Sequence, residues 1–567
     1  MPHTNAKEGD DLPPQKTKRP DVWLPIALAA TMGIGMYLGV KFNDKQHTAT
    51  PLVRASAPTP LQEVLNYVNR QYVDTVDADF LYESGIESML SQLDPYSVYI
   101  PARDLQTVNE DLEGNFVGIG VEFHILNDTM FVVSPMVGSP AESAGIRSGD
   151  RIVQIDKMTV AGAGLQDDQI VNLLRGKQGT TINLKLIRQN KTLNFSIQRD
   201  AINTNSVDVA YMINNEIGYI KINEFNDQTA DEFNKALQKL KRQNLQKLVL
   251  DLRGNPGGYV DEAVQLADEF LEDKKLIVYT KGRNQQTEQY FASAEGSFEQ
   301  GALTLLIDEG TASASEIMSG AIQDWDRGII VGRRSFGKGL VQQQYDLPNG
   351  SALRLTVSRY YTPTGRSIQK PYTNRTVYDN EIDSRNAELY SPDSIPIADT
   401  LKYKTPSGRT VYGGGGIIPD VFVPLDSSWN SIRFAQLFNT GILLNYAYSY
   451  SEKHQELIRL FRTGQHFANN FKITQSEFNQ FLIYLNKNKI QTNRFSNKDH
   501  YLIALYLKAY IGRQTYGNEA FYMVIDEMDN ALQKAVDILK HIKPNDNKIS
   551  GKTNLQNTLK NYNKAKY

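Results

Sequence analysis

An α/β core, a smaller β-rich module before it or inserted into it, an N-terminal helical segment and an all-helical C-terminal extension form the architecture that this 567-residue sequence predicts. Three observations carry it. The length exceeds what one hydrophobic core serves, so several domains are expected. From residue 217 onward, buried-type strand patterns alternate with helical ones ("IGYIKINEF", "TADEFNKALQKLKRQN", "KLVLDLRGNPGG", "YVDEAVQLADEFL"), which implies parallel strands joined by crossover helices. Between residues 115 and 198, short apolar runs are separated by Gly-rich turns with one helical interruption, "DDQIVNLLRG", the pattern of a compact β module.

The elements follow in order. Residues 1–21 are a polar tail that carries Lys16, Lys18 and Arg19 near its end. Val22 to Val40 is a run of 19 uncharged residues, about 28 Å as a helix, close to one bilayer core. Trp23 and Tyr37 lie near its two edges, and the basic flank predicts an N terminus inside with the bulk outside. No A-x-A cleavage site follows, so a retained single-pass anchor over 22–40 is expected. Residues 41–60 are a linker. Residues 61–105 show helical spacing and end in "LDPYSVYIP", a turn followed by an extended stretch. The β-rich module takes 106–198, the α/β core 199–425 and the helical extension 426–543, with a capping box at Thr474 to Glu477. Residues 544–567 are rich in Asn and Lys, a composition of disorder.

Composition narrows the chemistry. A net charge of −3 argues against nucleic acid as the main partner. The absence of cysteine excludes disulfides, a thiol nucleophile and thiolate metal sites. None of the seven histidines lies between residues 125 and 453. A catalytic serine in that span must use another residue type as its base, unless a distant histidine folds back. Clustered-histidine metal sites are likewise not expected, and neither metal nor cofactor is implied.

"EGTASASEIMSG", Glu309 to Gly320, places small residues where a strand ends and a helix begins. Such a junction lets a substrate carbonyl approach, and free N–H groups at the helix start face developing negative charge. A tight packing turn would need the same small residues. Three hydroxyls, Thr311, Ser313 and Ser315, alternate there. Further on, "RSFGKGLVQQQ" sets Lys338 between glycines, with Gln342 four residues later. Burial disfavours a charged lysine and can make it a base. Gln342 can accept a hydrogen bond from the amine without adding charge. A solvated lysine in a glycine turn is the alternative.

The chain resembles the carboxyl-terminal processing peptidases, or tail-specific proteases, from about Leu61 to Pro424. The resemblance rests on "LDPYSVYI", "FVGIGV", "GSPAESAGIRSGDRIVQID", "LRGKQGT", "VLDLRGNPGG", "EGTASASEIMSGAIQD", "GRRSFGKGLVQ" and "GGGGIIPDVFVP" in order. It implies an α/β protease core of that type with a PDZ-like β-rich domain. It places the nucleophile on Ser313, the general base on Lys338 and the orienting glutamine on Gln342. It implies an oxyanion hole from the Ala314 amide and from Gly257 or Gly258. Glu316 is read as a structural carboxylate. In the PDZ-like module, Ile119, Gly120 and Val121 of "GIGV" would hold a peptide's terminal carboxylate, with the adjoining strand edge pairing to the peptide. Arg175 matches an arginine that links PDZ and protease in some relatives.

The expectation is therefore a serine endopeptidase anchored in the bacterial inner membrane, with its catalytic domain on the periplasmic or extracytoplasmic side. Its substrates would be proteins or peptides with free, apolar C termini. The helical extension is a candidate for homodimerisation or adaptor binding. A catalytically silent PDZ scaffold and a ligand-binding envelope relative on the same core are the alternatives. Ser313, Lys338 and Gln342 together weigh against the first, and peptide turnover separates the second.

Overall fold

The computed structural model describes residues 31–32, 59–126, 128–372, 378, 381, 385–391, 399–426, 434, 437–438, 440–493 and 495–542. The expected anchor over 22–40, most of the linker and the C-terminal tail lie outside the described residues. Among the described residues, no helix is long and apolar enough to cross a membrane. The chain divides into two units, Met1–Tyr82 and Glu83–Tyr567.

Two helices open the described chain, α1 (Pro60–Gln71) and α2 (Ala78–Leu90). "LDPYSVYI" then forms a turn and a short strand, β1 (Val98–Ile100). β1 pairs antiparallel with residues Ala352–Arg354 of the core, so this motif joins the core although the sequence grouped it with the N-terminal helices. A three-residue strand carries too little periodicity to be assigned from sequence. Helix α3 (Ala102–Glu113) leads into the β-rich module.

That module holds β2 (Asn115–Gly118), β3 (Val121–Leu126), β4 (Thr129–Pro135), α4 (Pro140–Ala144), β5 (Arg151–Ile155), β6 (Met158–Thr159), α5 (Asp167–Leu174), β7 (Thr181–Arg188), β8 (Lys191–Gln198) and β9 (Asp200–Asn203). Its sheet runs β3-β4-β5-β7-β8, with β6 on β5, so β3 is an edge strand. β2 pairs separately with β9. Met130, Val132, Ile152, Ile182 and Leu184 form its core, and along β7 the buried Ile182, Leu184 and Leu186 alternate with exposed neighbours.

The α/β core follows with β10 (Val207–Met212), β11 (Ile217–Ile222), α6 (Thr229–Lys241), β12 (Lys247–Asp251), α7 (Val260–Asp268), β13 (Leu276–Lys281), β14 (Glu288–Phe291), β15 (Ala302–Ile307), α8 (Ala314–Asp324), β16 (Ile329–Gly332), β17 (Leu340–Asp346) and β18 (Ala352–Tyr361). After the hairpin β19 (Lys402–Lys404) and β20 (Thr410–Tyr412), β21 (Val421–Phe422) closes the main sheet. Its order is β10-β11-β12-β15-β16-β21, antiparallel only at β10–β11. β12, β15 and β16 are buried along their whole length, as parallel strands covered on both faces must be. A second sheet, β1-β18-β13-β14 with β17 on β18, flanks it.

The described chain ends in helices: α9 (Ile442–Lys453), α10 (Gln455–Arg459), α11 (Gly464–Asn470), α12 (Gln475–Lys487), α13 (Asn497–Ile525) and α14 (Asn530–His541). The expected capping box is present, with Thr474 N–H donating to Glu477 Oε2 at 2.7 Å and Glu477 N–H to Thr474 Oγ1 at 3.3 Å. Helix α14 lays Ala531, Leu532, Ala535, Ile538 and Leu539 against Tyr219, Val249, Leu306 and Val331 of the core sheet.

Candidate active site

β15 ends at Ile307, and the chain turns through 308–312 into α8. The three hydroxyls of that turn differ in their surroundings. Thr311 is buried; its Oγ1 donates to the Leu252 carbonyl at 2.8 Å and accepts the Asp308 N–H at 2.9 Å. Ser315 is buried and donates to the Asn255 carbonyl at 3.3 Å. Ser313 alone of the three lines a cavity of about 760 Å³. It sits at the N-cap of α8 with φ 52° and ψ −115°, a conformation that costs a residue with a Cβ about 1–3 kcal/mol. An N-cap serine ordinarily gives its hydroxyl to the helix, but Ser313 makes no such bond. Glu316 caps in the other direction, its Oε2 accepting the Ser313 N–H at 3.0 Å. The hydroxyl is left to the cavity.

Glu316 is fully buried and accepts four hydrogen bonds. Oε1 takes the Ser335 hydroxyl at 2.5 Å and the Gly337 N–H at 2.7 Å. Oε2 takes the Ser313 N–H and, at 2.8 Å, the Lys338 N–H. Burial raises its pKa against the opposing pull of these donors. One carboxylate thus joins the backbones of Ser313 and Lys338. Tyr360 joins them again: its buried hydroxyl donates to the Lys338 carbonyl at 2.7 Å and lies 3.1 Å from the Ser313 carbonyl.

The Lys338 side chain lines the same cavity as Ser313. Its Nζ donates to Gln342 Oε1 at 3.0 Å and lies 4.9 Å from the centre of the Tyr96 ring. Gln342 in turn donates from Nε2 to the Tyr96 carbonyl at 2.5 Å. A register shift between Val341 and Gln342 in β17 is the kind of bulge that re-aims a side chain. Burial lowers the Lys338 pKa, and Arg354 adds to this against the pull of Glu316 and Asp94. No hydrogen bond joins the Ser313 hydroxyl to Lys338 Nζ among the described residues.

"NPGG" packs against the start of α8. A Cβ on Gly257 would stand 2.7 Å from Ser313 Cβ and 2.8 Å from the Ala314 nitrogen. The Gly257 N–H donates to Asn255 Oδ1 at 2.9 Å, so it is occupied. The Gly258 and Ala314 amides donate to no protein acceptor among the described residues. Of the two glycines, Gly258 is therefore the one able to offer a free N–H. Helix α3 supplies Val108, Asn109, Leu112 and Glu113 to the cavity wall.

Ile119, Gly120 and Val121 lie apart from this cavity. Gly120 has φ 73°, and a Cβ there would meet Ser139 Cβ at 2.4 Å. Its carbonyl accepts the Met136 N–H at 3.0 Å, while the amides of Ile119 and Gly120 donate to no protein group among the described residues. Arg175 pairs with Glu110 of α3 at 3.5 Å and lies over the Phe116 ring at 5.1 Å. Its link is thus to the helix that walls the cavity. A larger cavity, about 1040 Å³, lies between the β-rich module, the core and the extension and contains none of the catalytic candidates.

The model of peptidase family S41 matches residues 216–378, and a PDZ domain model matches 117–198. A probable CtpA-like serine protease of Staphylococcus haemolyticus (strain JCSC1435) is 35% identical over 345 residues, which cover 60% of this chain and 67% of that protein. The chain belongs to peptidase family S41. A probable CtpA-like serine protease of Staphylococcus aureus (strain N315) is 37% identical over 310 residues, 54% of this chain. The match spans 62% of that relative's own length. Among solved structures, a photosystem II D1 C-terminal processing protease is 26% identical with a TM-score of 0.34, covering 64% of this chain and 92% of that one. Residues 433–517 match a family of unknown function, DUF8443.

Within this S41 chain, sequence reasoning missed Tyr96, Tyr360 and Asn255 at the site. "LDPYS" carried a usable signal for Tyr96. Asp94 Oδ1 accepts the Tyr96 and Ser97 N–H groups at 2.9 and 2.8 Å, an aspartate-capped turn that holds the ring under Lys338. Nothing local marked Tyr360, which acts across 47 and 22 residues of sequence.

Proposed function

We propose that the protein is a serine endopeptidase that binds the C-terminal tail of protein substrates in its PDZ domain and cleaves them with Ser313 and Lys338. One observation carries the reading. Of three neighbouring hydroxyls, only Ser313 faces a cavity, and that cavity also holds a lysine whose pKa burial lowers.

The chemistry follows from the groups present. Neutral Lys338 takes the Ser313 proton as Oγ attacks the scissile carbonyl. The carbonyl oxygen gains the negative charge, and the Gly258 and Ala314 amides stabilise it. Collapse breaks the C–N bond, and the leaving amine takes the proton back from Lys338. Water then attacks the Ser313 ester by the same route and frees the acid. Gln342 orients the amine without charging it, and Tyr96 shields it from water. In the free enzyme the lysine rests on Gln342, and its approach to Ser313 belongs to the substrate complex, as catalytic contacts often tighten only there.

The unoccupied amides of Ile119 and Gly120 beside the edge strand β3 support a carboxylate site with strand addition. Anchoring through 22–40 and an extracytoplasmic catalytic domain complete the reading. They rest on the apolar run and its basic flank, and protease accessibility in spheroplasts tests them. For the chemistry, Ser313→Ala and Lys338→Ala should each abolish turnover of an unstructured substrate with unchanged melting. Wild-type rates in either variant would sink the assignment.

A further inference from the structure

The turn that carries Gly257 and Gly258 has little stiffness of its own. Gly254, Gly257 and Gly258 have φ of 70°, 96° and 148°, and three such glycines leave a backbone easily displaced. Its rigidity comes from outside. Asp308 Oδ1 accepts the Gly254 N–H at 2.8 Å, and Lys221 Nζ donates to the Arg253 carbonyl at 3.1 Å. The Arg253 side chain folds back on Asp251, with Nε donating to Oδ1 at 2.9 Å and Nη2 to Oδ2 at 2.5 Å.

The other edge of that guanidinium is held from far away. Nη1 and Nη2 of Arg253 donate to Oδ1 and Oδ2 of Asp529 at 3.0 and 2.6 Å, a bidentate pair across 276 residues. Asp529 is itself fixed. Its Oδ1 caps α14 by accepting the Ala531 and Leu532 N–H groups at 3.0 Å. α14 is seated on the core sheet, and Lys247 Nζ donates to the Leu539 carbonyl at 3.0 Å. The same extension also grips the PDZ domain. Arg513 Nη2 donates to both Glu122 oxygens of β3 at 2.9 and 2.7 Å, and the Tyr448 hydroxyl donates to the Val133 carbonyl at 2.7 Å.

We propose that the helical extension completes the catalytic centre: Asp529 is a positioning residue that, through Arg253, holds the Asn255–Gly258 turn against Ser313. The proposal rests on the reading of Ser313 and Gly258 given above. Fixing the turn matters because Asn255 binds both sides of the oxyanion site. It takes the Gly257 N–H on Oδ1, and the Ala312 N–H on its carbonyl at 2.9 Å. A turn that drifts carries Gly258 away from Ala314.

Asp529→Asn in the full chain tests this. Asparagine caps helices as well as aspartate does and keeps the volume, so the variant can keep the α14 cap on Oδ1 while it removes the charge and turns an amide NH2 toward Arg253 Nη2 in place of the acceptor Oδ2. The readouts are kcat and KM on a peptide substrate, the melting temperature, and, on the active enzyme, the affinities for a second peptide too short to be cut and for the C-terminal aldehyde of that second peptide. The aldehyde forms a tetrahedral adduct with Ser313 and needs the oxyanion donors; the parent peptide does not. Asp529→Asn should lower kcat at least tenfold and weaken the aldehyde at least tenfold, with KM and peptide affinity within about twofold of wild type. Unchanged kcat, or parallel loss of both affinities, overturns the proposal. Should the variant not fold, Arg253→Lys takes its place. It leaves the α14 cap intact but cannot bridge two carboxylates, and the same losses are expected. If even the wild type shows no preference for the aldehyde, the Ser313 reading falls. If variant and wild type share the preference, only the role of Asp529 falls.

Discussion

Replacing Gly257 with alanine puts one methyl group between the Asn255–Gly258 turn and Ser313, the proposed nucleophile. The new Cβ would stand 2.7 Å from Ser313 Cβ, 2.8 Å from the Ala312 carbonyl oxygen and 2.8 Å from the Ala314 nitrogen. Ordinary contact begins near 3.4 Å, so the turn and the α8 start must part by 3.4 − 2.7, about 0.7 Å. A displacement on the order of 1 Å at reacting groups costs roughly 10²-fold in rate. The positive φ adds about 1–2 kcal/mol of strain. Gly254 in the same turn supplies the control. Its φ is 70°, yet a Cβ there meets nothing within 4 Å. Gly254→Ala should therefore carry the strain alone, with a slightly lower melting temperature and turnover within about threefold of wild type. Gly257→Ala should lose about 10²-fold in kcat/KM and melt lower than Gly254→Ala, because overpacking of about 1–3 kcal/mol adds to the same strain. These magnitudes follow the general costs of strain and misplacement. Steady-state cleavage of an unstructured substrate and thermal melts of the two variants decide it. Equal activities in the two would refute the packing of this turn against Ser313.

Ser315→Ala should keep most activity and cost about 1 kcal/mol of stability, because it removes only one buried hydrogen bond, to the Asn255 carbonyl. Turnover should rise with pH and level off at a pKa below the ordinary lysine value, since burial favours the neutral amine that accepts the proton. Lys338→Arg should be inactive at every pH because a guanidinium stays charged, and a flat wild-type profile with chemistry rate-limiting would count against a lysine base. Glu316→Gln turns an amide NH2 onto two of the four donors, either the Ser313 and Lys338 N–H groups or the Ser335 hydroxyl and the Gly337 N–H. At about 1.5–3 kcal/mol per bond to a charged group the loss is about 3–6 kcal/mol, which differential scanning calorimetry would register as a lower melting temperature. A substrate amidated at its C terminus should be cut several-fold more slowly than its free-acid twin, and equal kcat/KM values would remove the carboxylate role of Ile119 and Gly120.

Much of the site was legible because its parts are local. The strand-to-helix junction, the small residues around Ser313 and the glycines beside Lys338 each announce themselves within a dozen residues, and the cavity brings Ser313, Lys338 and Gln342 together. What stayed hidden depends on distance in the chain. The choice between Gly257 and Gly258 turns on the Asn255 side chain, which no pattern reveals. Tyr96 reaches Lys338 from an earlier turn, and β1 was too short to read as a core strand. The helical spacing of the extension was visible, but its seat on the core sheet was not: the apolar faces of α14 and of the sheet say only that each needs a cover.

The most direct test of the central claim is to catch the covalent intermediate. Turnover of a peptide ester, quenched with acid within one cycle and followed by peptide mapping, should leave the substrate's acyl group on Ser313. Lys338→Ala should show no such adduct on the same time scale. An acyl group on Thr311, Ser315 or any other residue, or steady turnover with no acylated residue, would contradict a Ser313 nucleophile activated by Lys338.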